Sequence, residues 1–232
     1  MKFKRFFTYF TPFERWLWLG SVITILFSFF LGENSYFLTL VASLVGVSAL
    51  IFIAKGNVIG QFLIIIFSLL YGIISWQFRY YGEMITYVFM SLPSAIIACI
   101  TWLKNPSAEK KNEVTVGQMN AKKWVLLSLA ALAVTVAFYF ILGYFHTPNL
   151  PLSTLSVATS FFAAMLLILR SPFYAVAYAV NDLVLIGLWV YAAFTSISYL
   201  SMVFCFLAFL ANDLYGFISW LKMEKRQKEN IS

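Results

Sequence analysis

The chain has 232 residues, of which 62% are hydrophobic and only 11% are charged, and its mean hydropathy is +0.87. Because a soluble domain carries about 25% charged and about 45–50% apolar residues, this composition excludes soluble, disordered and disulfide-scaffold proteins. The formal net charge of +7 would indicate nucleic acid binding in a soluble protein. In this chain the positions of the basic residues instead indicate how the protein is oriented in a lipid bilayer, and no nucleic acid partner is expected.

Eight apolar runs follow one another along the chain, and each is close to the roughly 20 residues that a helix needs to cross a bilayer. The predicted spans are 15–32, 36–54, 57–76, 84–103, 123–145, 152–169, 172–195 and 198–221. The basic start before the first run imitates a secretory signal, but residues 32–35 lack a small-x-small cleavage pattern, so this run is predicted to remain as a helix. The sequence therefore predicts an all-α integral membrane protein with eight transmembrane helices.

The positions of the basic residues predict the orientation of these spans. If the N-terminus lies in the cytoplasm, all of the 16 Lys and Arg residues except Arg79 fall on the cytoplasmic side. This asymmetry is the one described by the positive-inside rule. We therefore expect a multi-pass protein of the cell inner membrane with both termini in the cytoplasm.

The chain contains an internal repeat on either side of a polar connection. Residues 55–72 align with 170–187, and 81–104 align with 199–222, so each half carries three related spans. Because three spans begin and end on opposite sides of the membrane, a second copy directly after the first would be inverted. The fifth span lies between the copies and gives the second the same orientation as the first. The predicted plan is 3+1+3, and parallel repeats of this kind place a substrate site between them near mid-depth. The predicted segments are 1–35 with an extra helix, 36–104 as the first repeat, 105–151 as a flexible polar loop and a linker helix, 152–222 as the second repeat, and 223–232 as a basic tail.

Polar residues deep in the spans indicate where a pocket could lie, because hydrocarbon penalises polar groups that face lipid. They recur at helical spacing in the third, seventh and eighth spans. The candidate substrate-binding residues are Asn181, Asp182, Trp189, Asn212, Tyr215, Gln61, Trp76 and Tyr178. Helix packing is the alternative interpretation of Asn181, Asn212 and Gln61. Trp102, Trp124 and Trp220 lie beside basic residues and are predicted to be interfacial anchors.

The sequence holds little that would support enzyme chemistry. His146 is the only histidine and lies in a predicted outer loop, without a cysteine or second histidine nearby for a metal site. Cys99 and Cys205 fall toward opposite faces of the bilayer, so no disulfide is expected between them. No cofactor or metal is expected. Pro93 interrupts the fourth span and is predicted to kink or loosen it.

Several motifs are spread along the spans. They are Tyr81-Gly82-Glu83-Met84, Leu92-Pro93, Trp102, Asn181-Asp182 with Trp189, and the run from Asn212-Asp213 to Ser219-Trp220. Together they resemble the PnuC family of vitamin transporters, which take up nicotinamide riboside. The resemblance covers roughly residues 36–222, so the first helix lies outside it, and the 3+1+3 plan is similar to that of the SWEET sugar transporters. It implies facilitated diffusion of nicotinamide riboside across the inner membrane, followed by trapping through a cytoplasmic riboside kinase.

The candidate residues have the chemistry that this substrate requires. Aromatic rings can stack on a pyridinium cation, amides can bond its carboxamide and ribose hydroxyls, and a carboxylate favours its charge. Two alternatives stay open: a SWEET-like sugar carrier, and a proton-coupled carrier of a related vitamin such as thiamine, in which Asp182 or Asp213 would take the proton. The sequence also leaves open whether the protein forms a homo-oligomer.

Overall fold

The computed structural model describes residues 9–31, 37–77, 81–194 and 197–230. Within these residues, eight helices are long and apolar enough to cross a membrane, which confirms the predicted number. Lys2, Lys4, Arg5, Arg79 and the segment 32–35 lie outside the described residues. The helices are α1 (Pro12–Leu31), α2 (Phe37–Ala54), α3 (Ile59–Gln77), α4 (Tyr81–Lys104), α5 (Ala121–Tyr144), α6 (Leu150–Ile168), α7 (Phe173–Ala193) and α8 (Leu200–Glu229), with a short 3-10 turn at Ile197–Tyr199.

The helices form two units of three, as the repeat predicts. In the first unit α3 packs against both α2 and α4, and in the second α7 packs against both α6 and α8. Between the units, α2 packs against α8 and α4 packs against α6. The first helix of each unit thus meets the third helix of the other, which is the arrangement expected of parallel repeats related by an axis along the membrane normal.

The extra helix α1 lies across the seam between the two units, where it packs against α2 and α8. The Trp18 indole donates to the Ser48 hydroxyl of α2 at 3.1 Å. Glu14 is almost fully buried and pairs with Lys55, at the end of α2, at 3.0 Å. The hydroxyl of Ser21, further along α1, accepts a hydrogen bond from α8. The helix that falls outside the family resemblance is therefore bonded to both repeats.

The fourth span is irregular next to its proline, as predicted. A π-helical turn, Tyr87–Ser91, interrupts α4 shortly before Pro93. Proline has no N–H and its ring clashes with the carbonyl one turn earlier, so the wider π turn relieves both problems. The turn lies close to α3, because a Cβ added to Gly72 would be 2.7 Å from the Val88 side chain. The π turn therefore packs against α3 within the first unit.

The connection 105–120, which we call the strap, is packed against both units. The backbone N–H of Val114, a buried residue, donates to the Gly56 carbonyl in the α2–α3 turn at 2.9 Å. The N–H of Gly117 donates to the Arg170 carbonyl in the equivalent α6–α7 turn, also at 2.9 Å. The prediction of a flexible connection was wrong, because the polarity of this segment comes from its exposed side chains while its backbone bridges the two turns.

The basic tail continues α8 and does not form a separate segment. The helix runs to Glu229, past the predicted end of the span at 221. The Gln227 side chain accepts the Val116 N–H at 2.8 Å and donates to the Val114 carbonyl at 3.0 Å. These bonds to the strap give the last turns of α8 a buried partner, so the helix does not end where the apolar run ends.

Candidate functional site

A cavity of about 80 Å³ lies between the two units. Side chains from α2, α3 and α4 line one part of it, and side chains from α6, α7 and α8 line the rest. Sites for small organic ligands usually measure about 300–1,000 Å³. The cavity is therefore contracted relative to such sites, and a ligand of that size does not fit in it.

Two aspartates dominate the polar part of this cavity. Asp182 on α7 and Asp213 on α8 both line the cavity, and both are buried. Asp182 Oδ2 has no hydrogen-bond partner among the described residues. No lysine, arginine or histidine is among the described residues that line the cavity. Since adjacent carboxylates repel each other when both are ionised, the arrangement favours a cationic ligand over an anionic one.

Asn181 lines the same cavity, as predicted for a binding residue. Its side-chain Oδ1 accepts hydrogen bonds from the Thr159 hydroxyl at 2.8 Å and the Ser160 hydroxyl at 2.9 Å, both on α6. These two bonds fix the orientation of the amide. The carbonyl oxygen of the Asn181 amide already accepts these two bonds. A ligand in the cavity would therefore bond the NH₂ group, which donates.

The aromatic part of the cavity includes one predicted residue and several that were not predicted. Tyr178 lines the wall beside the aspartates, as expected. The other aromatic residues of the lining are Tyr87 from the π turn, Tyr174, Phe67, Phe206 and Phe209. The proline at position 93 was the only sequence signal pointing to the Tyr87 segment. The phenylalanines could not be told from ordinary core residues by spacing alone.

Asn212 does not line this cavity, although it was a predicted binding residue. Its Nδ2 donates to the Ser21 hydroxyl of α1 at 2.9 Å and to the Ala208 carbonyl at 2.8 Å. Adjacent residues of a helix point about 100° apart, and the rotation of α8 brings only Asp213 to the cavity. Asp213 faces the cavity and Asn212 faces α1, which favours the helix-packing interpretation for Asn212.

Tyr215 also faces α1 and not the cavity. Its hydroxyl donates to Glu14 Oε1 at 2.8 Å, and its ring lies 5.2 Å from the Phe13 ring. It lines a separate groove at the strap end of the molecule. The structure thus places this predicted binding residue in the contact between α8 and the extra helix.

The two other predicted tryptophans lie away from the cavity. Trp76, near the end of α3, is 60% exposed and contacts the Tyr81 ring edge-on at 5.6 Å. Trp189 is buried within an apolar cluster, and its ring lies 5.6 Å from the Tyr199 ring. Neither is among the residues that line the cavity in this contracted form.

Gln61 is fully buried on α3, and neither atom of its amide has a hydrogen-bond partner among the described residues. Ile64 and Ser68 line the cavity and lie on the same face of the helix, since they follow Gln61 by three and seven positions. The buried Ser68 hydroxyl also has no described partner. This strip of α3 therefore carries unused hydrogen-bonding capacity that leads from the cavity toward the strap.

Trp102 and Trp220 were predicted to be interfacial anchors. That prediction was wrong, because both side chains are almost completely buried. The Trp102 indole donates to the Leu167 carbonyl at 3.2 Å, and the Trp220 indole donates to the Ile53 carbonyl at 2.8 Å. The two rings lie 5.5 Å apart. Each tryptophan thus bonds the opposite unit, whereas Trp124 on α5 is partly exposed.

Comparison with known proteins finds similarity to membrane transporters. The family described as nicotinamide mononucleotide transporter matches residues 36–222. Two relatives described as nicotinamide riboside transporter PnuC are similar to this chain. The one from Neisseria mucosa is 27% identical over 93% of this chain and 83% of its own length, and the one from Haemophilus influenzae is 26% identical over 93% and 92%. The crystal structure of the vitamin B3 transporter PnuC matches with a TM-score of 0.81 at 25% identity, over 94% of both chains.

Proposed function

The chain belongs to the nicotinamide mononucleotide transporter family, and we propose that the substrate it carries across the membrane is nicotinamide riboside. The riboside and the mononucleotide differ by a phosphate group. The observation that carries the proposal is the acidic character of the cavity, with two buried aspartates and no basic residue among its described lining. A pyridinium cation is favoured in such a site and a phosphate dianion is repelled.

The cavity contains a complementary group for each part of the riboside. The pyridinium ring lies near Asp182 and Asp213 and against the ring of Tyr87 or Tyr178, since cations bind above aromatic faces. The Asn181 NH₂ donates to the carboxamide oxygen or to a ribose hydroxyl. Polar groups of the α3 strip bond the remaining hydroxyls when the cavity enlarges, which would satisfy donors and acceptors that are otherwise costly to bury.

Transport is proposed to be facilitated diffusion between two arrangements of the three-helix units. The contracted cavity, at about 80 Å³, supports a cycle in which the units separate to admit substrate. We propose that both termini lie in the cytoplasm, where a kinase phosphorylates the riboside. The same acidic lining that favours the riboside disfavours the return of its phosphorylated product, so trapping requires no ion gradient.

Calorimetry on purified protein tests the choice of substrate. We expect nicotinamide riboside to bind more tightly than nicotinamide mononucleotide, uncharged nicotinamide or glucose, with thiamine as the competing vitamin. Equal binding of the mononucleotide would contradict the electrostatic argument. Tighter binding of glucose would instead support the sugar-carrier alternative, which has no need for paired carboxylates.

A further inference from the structure

The two buried tryptophans lie directly beneath the central cavity. The carbonyls that accept their indole N–H groups belong to Ile53 and Leu167, and both of these residues line the cavity wall. The Trp220 ring also contacts the ring of Tyr174, another lining residue, at 5.0 Å. The indole pair therefore forms the floor of the cavity on the side where the strap lies.

The bonds made by the two tryptophans are reciprocal. Trp220 of α8 bonds the end of α2, and Trp102 of α4 bonds the end of α6. These helix pairs are the two contacts between the units. Each of these two helix contacts therefore includes one indole bond.

The strap holds the same two helix ends. Its N–H groups bond the carbonyls of Gly56 and Arg170, which follow the acceptor residues Ile53 and Leu167 by three positions in each case. At each of the two helix ends, one carbonyl accepts an indole N–H and another accepts a backbone N–H. The strap supplies the backbone N–H in both cases. This arrangement positions the two acceptor carbonyls relative to each other in the closed form.

We propose that Trp102 and Trp220 form the gate of the transport path on the side of the membrane where Lys104 and Lys222 lie. This inference rests on the proposed transport function. Both indole bonds are made in the closed form, and both break when the cavity opens to that side. Water that enters the open path then satisfies the freed N–H and carbonyl groups, so the gate has two stable states.

Cysteine labelling tests the gate without any substrate. Ser68, fully buried on the cavity wall, is replaced by cysteine in a Cys99→Ala/Cys205→Ala background, and an impermeant maleimide is added to either side of membrane vesicles. Trp102→Phe and Trp220→Phe each keep the ring and remove one bond. Each is expected to speed labelling from the Lys222 side about fivefold, the effect of one net hydrogen bond. Labelling from the other side is expected to stay unchanged.

Trp124→Phe is the matched control, because the described contacts of Trp124 are ring contacts with Phe162 and Phe173. It is expected to label at the rate of the parent. Unchanged labelling in both gate variants and in their double variant would overturn the proposal. Equal acceleration from both sides would also overturn it, since it would indicate general loosening.

A crosslink supplies a test that does not depend on the tryptophan variants. A Cβ added to Gly216 of α8 lies 3.8 Å from the Ala54 Cβ of α2, and disulfides have Cβ atoms about 3.8 Å apart. The Tyr174 hydroxyl, 3.0 Å from the added Cβ, must shift slightly. Oxidised Ala54→Cys/Gly216→Cys protein is expected to lose riboside flux in proteoliposomes and to regain it on reduction. Flux that persists with the disulfide formed would refute the gate, whereas absence of flux in the parent protein would refute the proposed function.

Discussion

Two buried asparagines allow the binding site to be separated from helix packing in one experiment. Asn181 bonds Thr159 and Ser160 within the second unit and lines the cavity. Asn212 bonds the extra helix through Ser21 and does not line the cavity. Both side chains are buried, so replacing each by alanine removes the same chemical group from a comparable environment.

The expected effects differ in kind. Loss of one buried hydrogen-bond partner costs about 1–3 kcal/mol. For Asn181→Ala this loss falls on the bound riboside, so the dissociation constant should rise roughly tenfold to a hundredfold. For Asn212→Ala the loss falls on the folded protein. Since about 1 kcal/mol shifts the melting temperature of a chain of this size by about 2–4 °C, Tm should fall by roughly 3–8 °C.

The assay pairs calorimetric titration of nicotinamide riboside with thermal unfolding of the same purified samples. Asn212→Ala should bind the riboside within about twofold of the parent, because no cavity group changes. Tm should also fall in Asn181→Ala, because its bonds to Thr159 and Ser160 are lost, so the dissociation constant is the measurement that separates the two variants. The opposite result, with normal binding in Asn181→Ala and weakened binding in Asn212→Ala, would show that the site lies between α8 and α1 and would refute our assignment of the cavity.

Three further predictions concern charge, the strap and energy coupling. Asp182→Asn and Asp213→Asn should each weaken riboside binding by about tenfold, and the double variant should lose its preference over the mononucleotide in competition binding. Gly117→Ala should lower Tm in thermal unfolding, because the new Cβ would lie 2.1 Å from the Leu169 carbonyl oxygen, whereas Gly187→Ala meets nothing within 4 Å and should not. Proteoliposomes with a proton gradient should equilibrate labelled riboside without concentrating it. Accumulation above equilibrium would instead indicate that the carboxyl pair couples transport to protons.

The sequence predicted the architecture well because hydropathy and charge depend little on tertiary contacts. Each apolar run is long enough to decide its own structure in a bilayer. The position of Pro93 predicted the irregularity of α4, and the repeat predicted two three-helix units that face each other. Trp102 and Trp220 occupy equivalent positions in the two repeats, but neither their contact nor their burial was predicted.

The site was only partly predictable, because spacing shows which residues share a helix face but not what that face meets. Asn181, Asp182 and Tyr178 were correctly expected on one face of α7, and that face lines the cavity. In α8 the neighbours Asn212 and Asp213 were grouped together, and the structure turns them toward different helices. The sequence contained no signal for how α8 is rotated against α1, so only the structure could separate them.

The buried contacts near the strap were missed for a related reason. A tryptophan next to a lysine, as in 102–104 and 220–222, is typical of an interfacial anchor. Residues two positions apart on a helix point in very different directions, so the lysine can reach the surface while the tryptophan faces the opposite unit. Interactions between distant parts of the chain decide such cases, and they leave no local pattern.

The central claim is that an acidic cavity between the two units carries the riboside and rejects its phosphorylated form. The most direct test is the flux of labelled nicotinamide riboside and labelled nicotinamide mononucleotide into proteoliposomes of purified protein, without any gradient. We predict that the riboside equilibrates across the membrane while the mononucleotide remains at the rate of protein-free vesicles. Equilibration of the mononucleotide as fast as the riboside would contradict this account.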